Sequence, residues 1–237
     1  MSEFDLKITG GTIANSFETF EADVAVRDGR IAAVGSSLGD AVSEIDATGK
    51  YVLPGGIEAH CHIEQESSFG LMSSDDYYSG SVSAAFGGNT CIVPFAAQHR
   101  GQTLKSVLEL YHGRAAPKSV IDYSFHLIIS DPTEDVLHRE LPKAIEEGIS
   151  SFKIYMTYDK LVGDDNQMLD IFTVAKKHGA LTMIHAENHA MIKWMSGKLI
   201  EAGHHAPKYH ALSHPRTAES EAINRAIALA GFLATPL

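Results

Sequence analysis

Two histidines separated by a single residue stand at the end of a short apolar run and carry the strongest chemical signal in the chain. His60 and His62 end the segment 55–62, GGIEAHCH. Successive side chains of a β-strand point to opposite faces, so the two imidazoles are expected on one face and Cys61 on the other. Imidazole nitrogen is a common ligand of Zn²⁺. The pair therefore predicts a metal site at the end of a strand, and with it a metal-dependent hydrolase.

A lysine and a further histidine belong to two later apolar runs. Lys153 lies within the run 151–156, SFKIYM, and His185 ends the run 181–185, LTMIH. If these runs are parallel strands of a barrel, their carboxyl ends form one rim, which is where such folds carry their catalytic groups. Lys153 and His185 are therefore expected to share a rim with the two histidines of the first run.

The elements that must position these side chains recur at a nearly constant interval. Each apolar run is followed by a polar or glycine-rich stretch and then by a helical pattern, which favours a parallel sheet. The predicted fold class is α/β, a (β/α)₈ TIM-like barrel, with a doubly wound open sheet as the alternative. The runs begin near Gly56, Asn89, Asp122, Ser151 and Leu181; the helices are predicted at 75–87, 103–116, 134–147, 167–178 and 217–230, and 188–216 is predicted to be a longer insertion.

The first 53 residues have a different pattern. Residues 4–13 and 22–34 alternate apolar and polar side chains, and Asp28-Gly29 predicts a hairpin turn within the second segment. We therefore predict a small β-sandwich part at 1–53 and part of a barrel at 54–237. Only five of the eight barrel strands are visible, so the barrel is expected to be incomplete in this chain, with the next strand starting after Pro236.

Composition excludes several classes of partner. The net charge of -11 argues against nucleic acid and anionic membranes, both of which favour basic surfaces. No apolar run approaches the ~20 residues that span a bilayer. The first residues, MSEFD, lack the basic start of a signal peptide, and two cysteines are too few for a disulfide framework. We therefore expect a cytoplasmic protein.

The motifs, taken in order, resemble those of the dihydropyrimidinase/hydantoinase branch of the metal-dependent amidohydrolases. The resemblance covers nearly the whole chain, but only about the N-terminal half of a family member. An isolated His-x-His is a weak signal, whereas the ordered set is specific. The matching segments are 53–57 (LPGGI) running into His60-Cys61-His62, 84–90 (AAFGGNT), 152–158 (FKIYMTY), 183–188 (MIHAEN), 209–212 (YHAL) and 221–226 (EAINRA).

The resemblance implies a site with two divalent metal ions, for which zinc is expected. It assigns His60 and His62 to the first ion and His185 to the second. Lys153 would be an N6-carboxylysine that bridges both ions. Tyr158 would bind the substrate and stabilise the oxyanion that develops during attack. A later histidine and an aspartate, which complete the family's ligand set, would lie beyond Leu237.

The implied reaction opens dihydropyrimidine or hydantoin rings to N-carbamoyl amino acids. The substrate would be a small cyclic ureide or imide, and the enzyme a homotetramer. Because the aspartate also serves as general acid and base in the family, the 237-residue segment alone is expected to be inactive. Another cyclic amidohydrolase, of the allantoinase or dihydroorotase type, and a non-catalytic interaction protein of the same branch remain alternatives.

Each assigned residue also has a purely structural interpretation. Lys153 could pair with a carboxylate, His185 could be a hydrogen-bonded core histidine, and Tyr158 could only pack at the rim. The other ten histidines are expected on helices, loops or the surface. They are His99, His112, His126, His138, His178, His189, His204, His205, His210 and His214.

Overall fold

The fold is mixed α/β and consists of two compact units that divide between Gly56 and Ile57. A computed structural model describes residues 2–67 and 70–237. None of the described helices is both long and apolar enough to cross a membrane.

The first unit is a five-stranded sheet in which β1 is central. β1 pairs with β2 in antiparallel fashion and with β4 and β5 in parallel fashion, and β3 pairs with the other side of β2. The predicted hairpin is confirmed, since Asp28 and Gly29 both have positive φ angles, 52° and 70°, as the favoured two-residue hairpin turn requires. The strands are β1 Phe4–Ala14, β2 Thr19–Arg27, β3 Arg30–Gly35, β4 Ala41–Asp46 and β5 Tyr51–Val52.

The second unit alternates strands and helices along the chain. Its sheet has the order β11-β10-β9-β7-β6, with β8 beside β7, and the pairings of β7 with β8 and β9, and of β10 with β9 and β11, are parallel. The strands are β6 Gly56–Cys61, β7 Asn89–Ala97, β8 Asp122–Tyr123, β9 His126–Ile128, β10 Ser151–Tyr155 and β11 Leu181–His185; the helices are α1 Tyr77–Phe86, α2 Leu104–Ala115, α3 Leu141–Glu146, α4 Asp165–His178, α5 His189–Glu201, α6 His210–Ser213 and α7 Arg216–Leu233.

Local chemistry sets several helix ends. The first helix is capped by Asp76, whose carboxylate accepts a hydrogen bond from the Ser79 amide. Asp164 and Gln167 form a reciprocal capping box at the start of α4, and Gly179 ends that helix in the left-handed conformation.

Two predicted segments contain structure that the sequence did not indicate. The third predicted helix begins with a π-helical turn, Val136–Glu140, before α3. The segment 188–216, predicted as a longer insertion, is largely helical and begins with α5, which Asn188 caps by accepting a hydrogen bond from the Met191 amide. Prolines do not interrupt α5, since Pro207 and Pro215 both lie beyond its end.

One histidine lies in the core of the second unit, contrary to the expectation that it would lie on a helix, a loop or the surface. His126 is 9% exposed, and its Nε2 lies 3.0 Å from the carbonyl oxygen of Ala59. A carbonyl only accepts, so Nε2 carries the proton and Nδ1 accepts from the Ser151 hydroxyl. The neutral ring thereby ties together β6, β9 and β10, and two of these strands, β6 and β10, carry predicted site residues.

Burial lowers the pKa of His126 below its ordinary value of 6.5, which the hydrogen bond to Ala59 offsets only in part. Below pH 6.5 the unfolded chain therefore takes up a proton that the folded chain does not, and the free energy of unfolding falls as the pH is lowered. Urea unfolding across this range should show a smaller fall in His126→Gln than in the wild type. His138→Gln, which changes a largely exposed histidine, should behave like the wild type. An equal fall in all three proteins would contradict this assignment.

Candidate functional site

Phe95, a fully buried residue of β7, contacts three of the side chains that the sequence singles out. Its ring stacks on His62 with centroids 4.7 Å apart and meets His60 edge-on at 5.0 Å. The Nζ of Lys153 lies 5.3 Å from the same ring centroid. The ends of β6, β7 and β10 therefore bring the two histidines and the lysine together around one aromatic ring.

Tyr155 makes a second aromatic platform two residues along β10 from Lys153. The ring of Tyr155 stacks on His185 at 5.3 Å and lies 5.9 Å from the ring of Tyr158. Lys153 Nζ is 5.6 Å from the Tyr155 centroid, so the amine lies beside both platforms. This follows from strand alternation and register, because Lys153 and Tyr155 share a face of β10 and Tyr155 pairs with His185 of β11.

Lys153 is buried without a counter-ion. Lys153 is only 5% exposed, and this burial lowers the pKa of its amine. Within 2–67 and 70–237 no carboxylate pairs with this amine, whose neighbours are the two aromatic rings. The interpretation of Lys153 as half of an ion pair is therefore wrong for the described chain. A buried lysine of this kind favours the neutral amine, which can act as a nucleophile.

The electrostatic environment also favours a neutral imidazole at His60. Burial lowers the pKa of His60, and the nearby Lys153 and His62 lower it further. Neutral imidazole is the form that binds metal ions.

Tyr158 and His185 form a contacting pair at the opposite end of the site. The Tyr158 hydroxyl lies 3.4 Å from Nε2 of His185, and a carboxylate oxygen of Glu187 lies 2.6 Å from the same nitrogen. Tyr158 has a φ angle of 71°, a conformation that non-glycine residues rarely adopt and that costs roughly 1–3 kcal/mol. Its carbonyl accepts from the amides of Leu161 and Val162, each at 2.8 Å, which holds the turn that presents the hydroxyl.

All five predicted site residues thus lie around the Phe95 and Tyr155 platforms, with Lys153 between the His60/His62 pair and the His185/Tyr158 pair. Among the described residues, however, no three His, Cys, Asp or Glu side chains are grouped closely enough to hold a metal ion. The five predicted residues offer three imidazoles, a lysine amine and a tyrosine hydroxyl, and the Glu187 carboxylate lies beside His185. A metal centre that uses Lys153 would need its amine to be neutral or modified.

Sequence reasoning missed the two platforms and the polar neighbours of the histidines. Phe95 and Tyr155 sit among apolar residues of their strands and carry no pattern of their own. Gln65, which contacts His62, and Glu187, which contacts His185, lie two or three residues after the histidines that they touch. That short spacing after a strand end is the only signal in the sequence that could have identified them.

Comparisons with known proteins place the chain beside enzymes that act on hydantoins. It is 46% identical over 225 residues to a D-hydantoinase from Geobacillus stearothermophilus, an alignment that covers 94% of this chain and 47% of that protein. No family model matches the chain. The chain spans about half the length of the curated relatives that it matches.

Solved structures give the same relationship. A D-hydantoinase structure superposes with a TM-score of 0.94 at 41% identity, covering 98% of this chain and 51% of that one. The dihydropyrimidinase of Brevibacillus agri superposes with a TM-score of 0.93 at 38% identity, covering 99% of this chain and 50% of that one. The similarity therefore extends across both units and includes the strands that carry the candidate site.

The Phe95 platform makes a prediction about stability. Phe95→Ala should lower the free energy of unfolding by about 3–5 kcal/mol, because it leaves a cavity under His60, His62 and Lys153. Phe86→Ala is the matched control, since Phe86 is 92% exposed, and should change stability by no more than about 0.5 kcal/mol. Urea denaturation followed by circular dichroism measures both. Equal losses in the two variants would contradict the packing of Phe95 beneath these three side chains.

Proposed function

Because the chain is homologous over nearly its whole length to the D-hydantoinases and dihydropyrimidinases, we propose that it supplies the metal-binding rim of a cyclic amide hydrolase. The enzyme would open dihydropyrimidine or hydantoin rings to N-carbamoyl amino acids. The observation that carries the proposal is the convergence of His60, His62, Lys153 and His185 around two adjoining aromatic rings.

Carboxylation of Lys153 would let this donor set hold two metal ions. A protonated amine would be repelled by divalent ions, whereas a carbamate has two oxygens and a negative charge and suits a bridge. The buried amine has a lowered pKa and lacks a carboxylate partner in the described chain, which favours the neutral form that reacts with carbon dioxide. His60 and His62 would hold one ion and His185 the other, and zinc is the proposed metal.

Two such ions, when bound, lower the pKa of water and polarise a carbonyl. The chain's own residues supply orientation and charge stabilisation. Phe95 fixes the two imidazole planes of β6 by stacking and edge contacts, and Tyr155 does the same for His185. The Tyr158 hydroxyl, presented by its constrained turn, would hold the substrate and donate a hydrogen bond to the developing oxyanion.

The same homology supports the finer architectural predictions. The parallel strands β7, β9, β10 and β11, alternating with helices, suit part of a (β/α)₈ TIM-like barrel over 54–237. The sheet of 1–53 would belong to a β-sandwich part. Two free cysteines suit a cytoplasmic protein. The homotetramer stays a prediction.

A non-catalytic role is less well supported, because such a protein would not need to retain all four metal-binding side chains. Nothing in the site favours allantoinase or dihydroorotase chemistry over the proposed reaction.

A chimera tests the proposed reaction. Residues 1–237 would replace the matching half of the Geobacillus stearothermophilus D-hydantoinase. We expect the zinc-loaded chimera to convert hydantoin and dihydrouracil to their N-carbamoyl products. Chromatography of the reaction mixture measures the amount of each product. The 237-residue chain alone should give no product, because the proposed general base is not in it. A folded, zinc-loaded chimera without activity, or equal activity in the chain alone, would contradict the proposal.

Carboxylation of Lys153 is tested on the same chimera. Mass spectrometry without acid should find the mass of one carbon dioxide on the peptide that contains Lys153. Lys153→Gln should lose both that mass and the bound zinc, as measured by metal analysis. Lys105→Gln, which changes a 74% exposed lysine, should keep both. Zinc retained at wild-type stoichiometry by Lys153→Gln would exclude the bridging role.

A further inference from the structure

The His62 ring contacts a polar side chain that is not among the predicted site residues, namely Gln65 on the loop after β6. The Nδ1 of His62 is 2.7 Å from Oε1 of Gln65. The opposite edge of the ring carries Nε2, which has no hydrogen bond within the described chain. The imidazole stacks on Phe95 through its face, which leaves both ring nitrogens at the edge. The contact with Gln65 therefore decides which nitrogen carries the proton.

We infer that Gln65 is a positioning residue that holds His62 as the Nδ1–H tautomer, with the lone pair of Nε2 free to bind a metal ion. The inference rests on the proposed function, in that His62 is taken as a metal ligand. An amide oxygen only accepts, so the short contact requires a proton on Nδ1. The partner of the second ring nitrogen fixes both the tautomer and the orientation of a metal-binding histidine.

Gln65 is itself held at two points by the returning limb of the loop. Its amide donates to the Ser73 hydroxyl at 3.0 Å, and its carbonyl accepts from the Ser73 amide, also at 3.0 Å. The backbone of Gln65 therefore cannot drift away from His62 without breaking both hydrogen bonds. This double contact distinguishes Gln65 from a loop residue that meets a histidine by chance.

The residue before Gln65 is anchored by two cations, Arg114 of α2 and Lys118, which lies just after the end of that helix. Both carboxylate oxygens of Glu64 lie 2.9 Å from Nζ of Lys118, and Arg114 donates to the Glu64 carbonyl at 2.8 Å. Glu64 has a φ of 46°, so this turn is held in a conformation that a free loop would avoid. Lys118 also pairs with Asp76, the cap of α1. The turn that presents Gln65 is thus attached to two helices.

The tautomer can be measured without metal and without activity. The chain would be labelled with ¹⁵N-histidine, and long-range ¹H–¹⁵N spectra recorded at a pH well above the imidazole pKa. His62→Gln assigns the signal of His62. We expect the Nδ1–H pattern in the wild type, its loss or dilution in Gln65→Met, and its retention in Gln65→Glu, which keeps an acceptor. Glu66→Gln, on the same loop, should match the wild type.

Zinc affinity provides the second readout, measured on the D-hydantoinase chimera by competition with a chromophoric chelator. Gln65→Met should bind zinc about 10–100-fold more weakly, and Gln65→Glu should restore most of the affinity. An Nε2–H pattern in the wild type, or an unchanged Nδ1–H pattern in Gln65→Met, would overturn the inference. An Nδ1–H pattern lost in Gln65→Met, with no zinc bound by any variant, would support the role of Gln65 and refute the proposed metal site instead.

Discussion

A buried amine without a counter-ion is the constraint on which the site depends. Lys153 lies between the rings of Phe95 and Tyr155, and its burial disfavours the charged form. An ordinary core would replace such a lysine with an apolar residue or pair it with a carboxylate. Retaining it at the meeting point of three histidines has a cost in stability, and that cost is explained if the amine is chemically modified. A purely structural and a functional interpretation of the site therefore differ most at the Nζ of Lys153, which is an ordinary amine in the first and a modified one in the second.

The parallel sheet converts this local constraint into a site. β6, β10 and β11 each deliver one or two polar side chains at their carboxyl ends, and β7 contributes the aromatic ring between them. His126 ties the strands together farther back by bonding to Ala59 and Ser151. Under the proposed function, the strands would carry the metal-binding donors, while the Tyr158 turn and the Gln65 loop would carry the residues that orient the substrate and the His62 imidazole.

Sequence periodicity predicted what depends on local geometry. Alternation along the first strand predicted that His60 and His62 share a face, and Asp28-Gly29 predicted a hairpin because that turn needs two positive φ angles. Periodicity could not identify Phe95 or His126, because their roles come from which strands become neighbours. An apolar phenylalanine in a strand looks the same whether it supports a site or fills a core.

Zinc positions in crystals of the D-hydantoinase chimera would show whether Lys153 lies between two bound ions. Anomalous scattering recorded at the zinc absorption edge locates the ions without reference to activity. We expect two peaks on either side of Lys153, one beside His60 and His62 and the other beside His185. A fully occupied pair of zinc ions elsewhere, with Lys153 unmodified between its two rings, would contradict it.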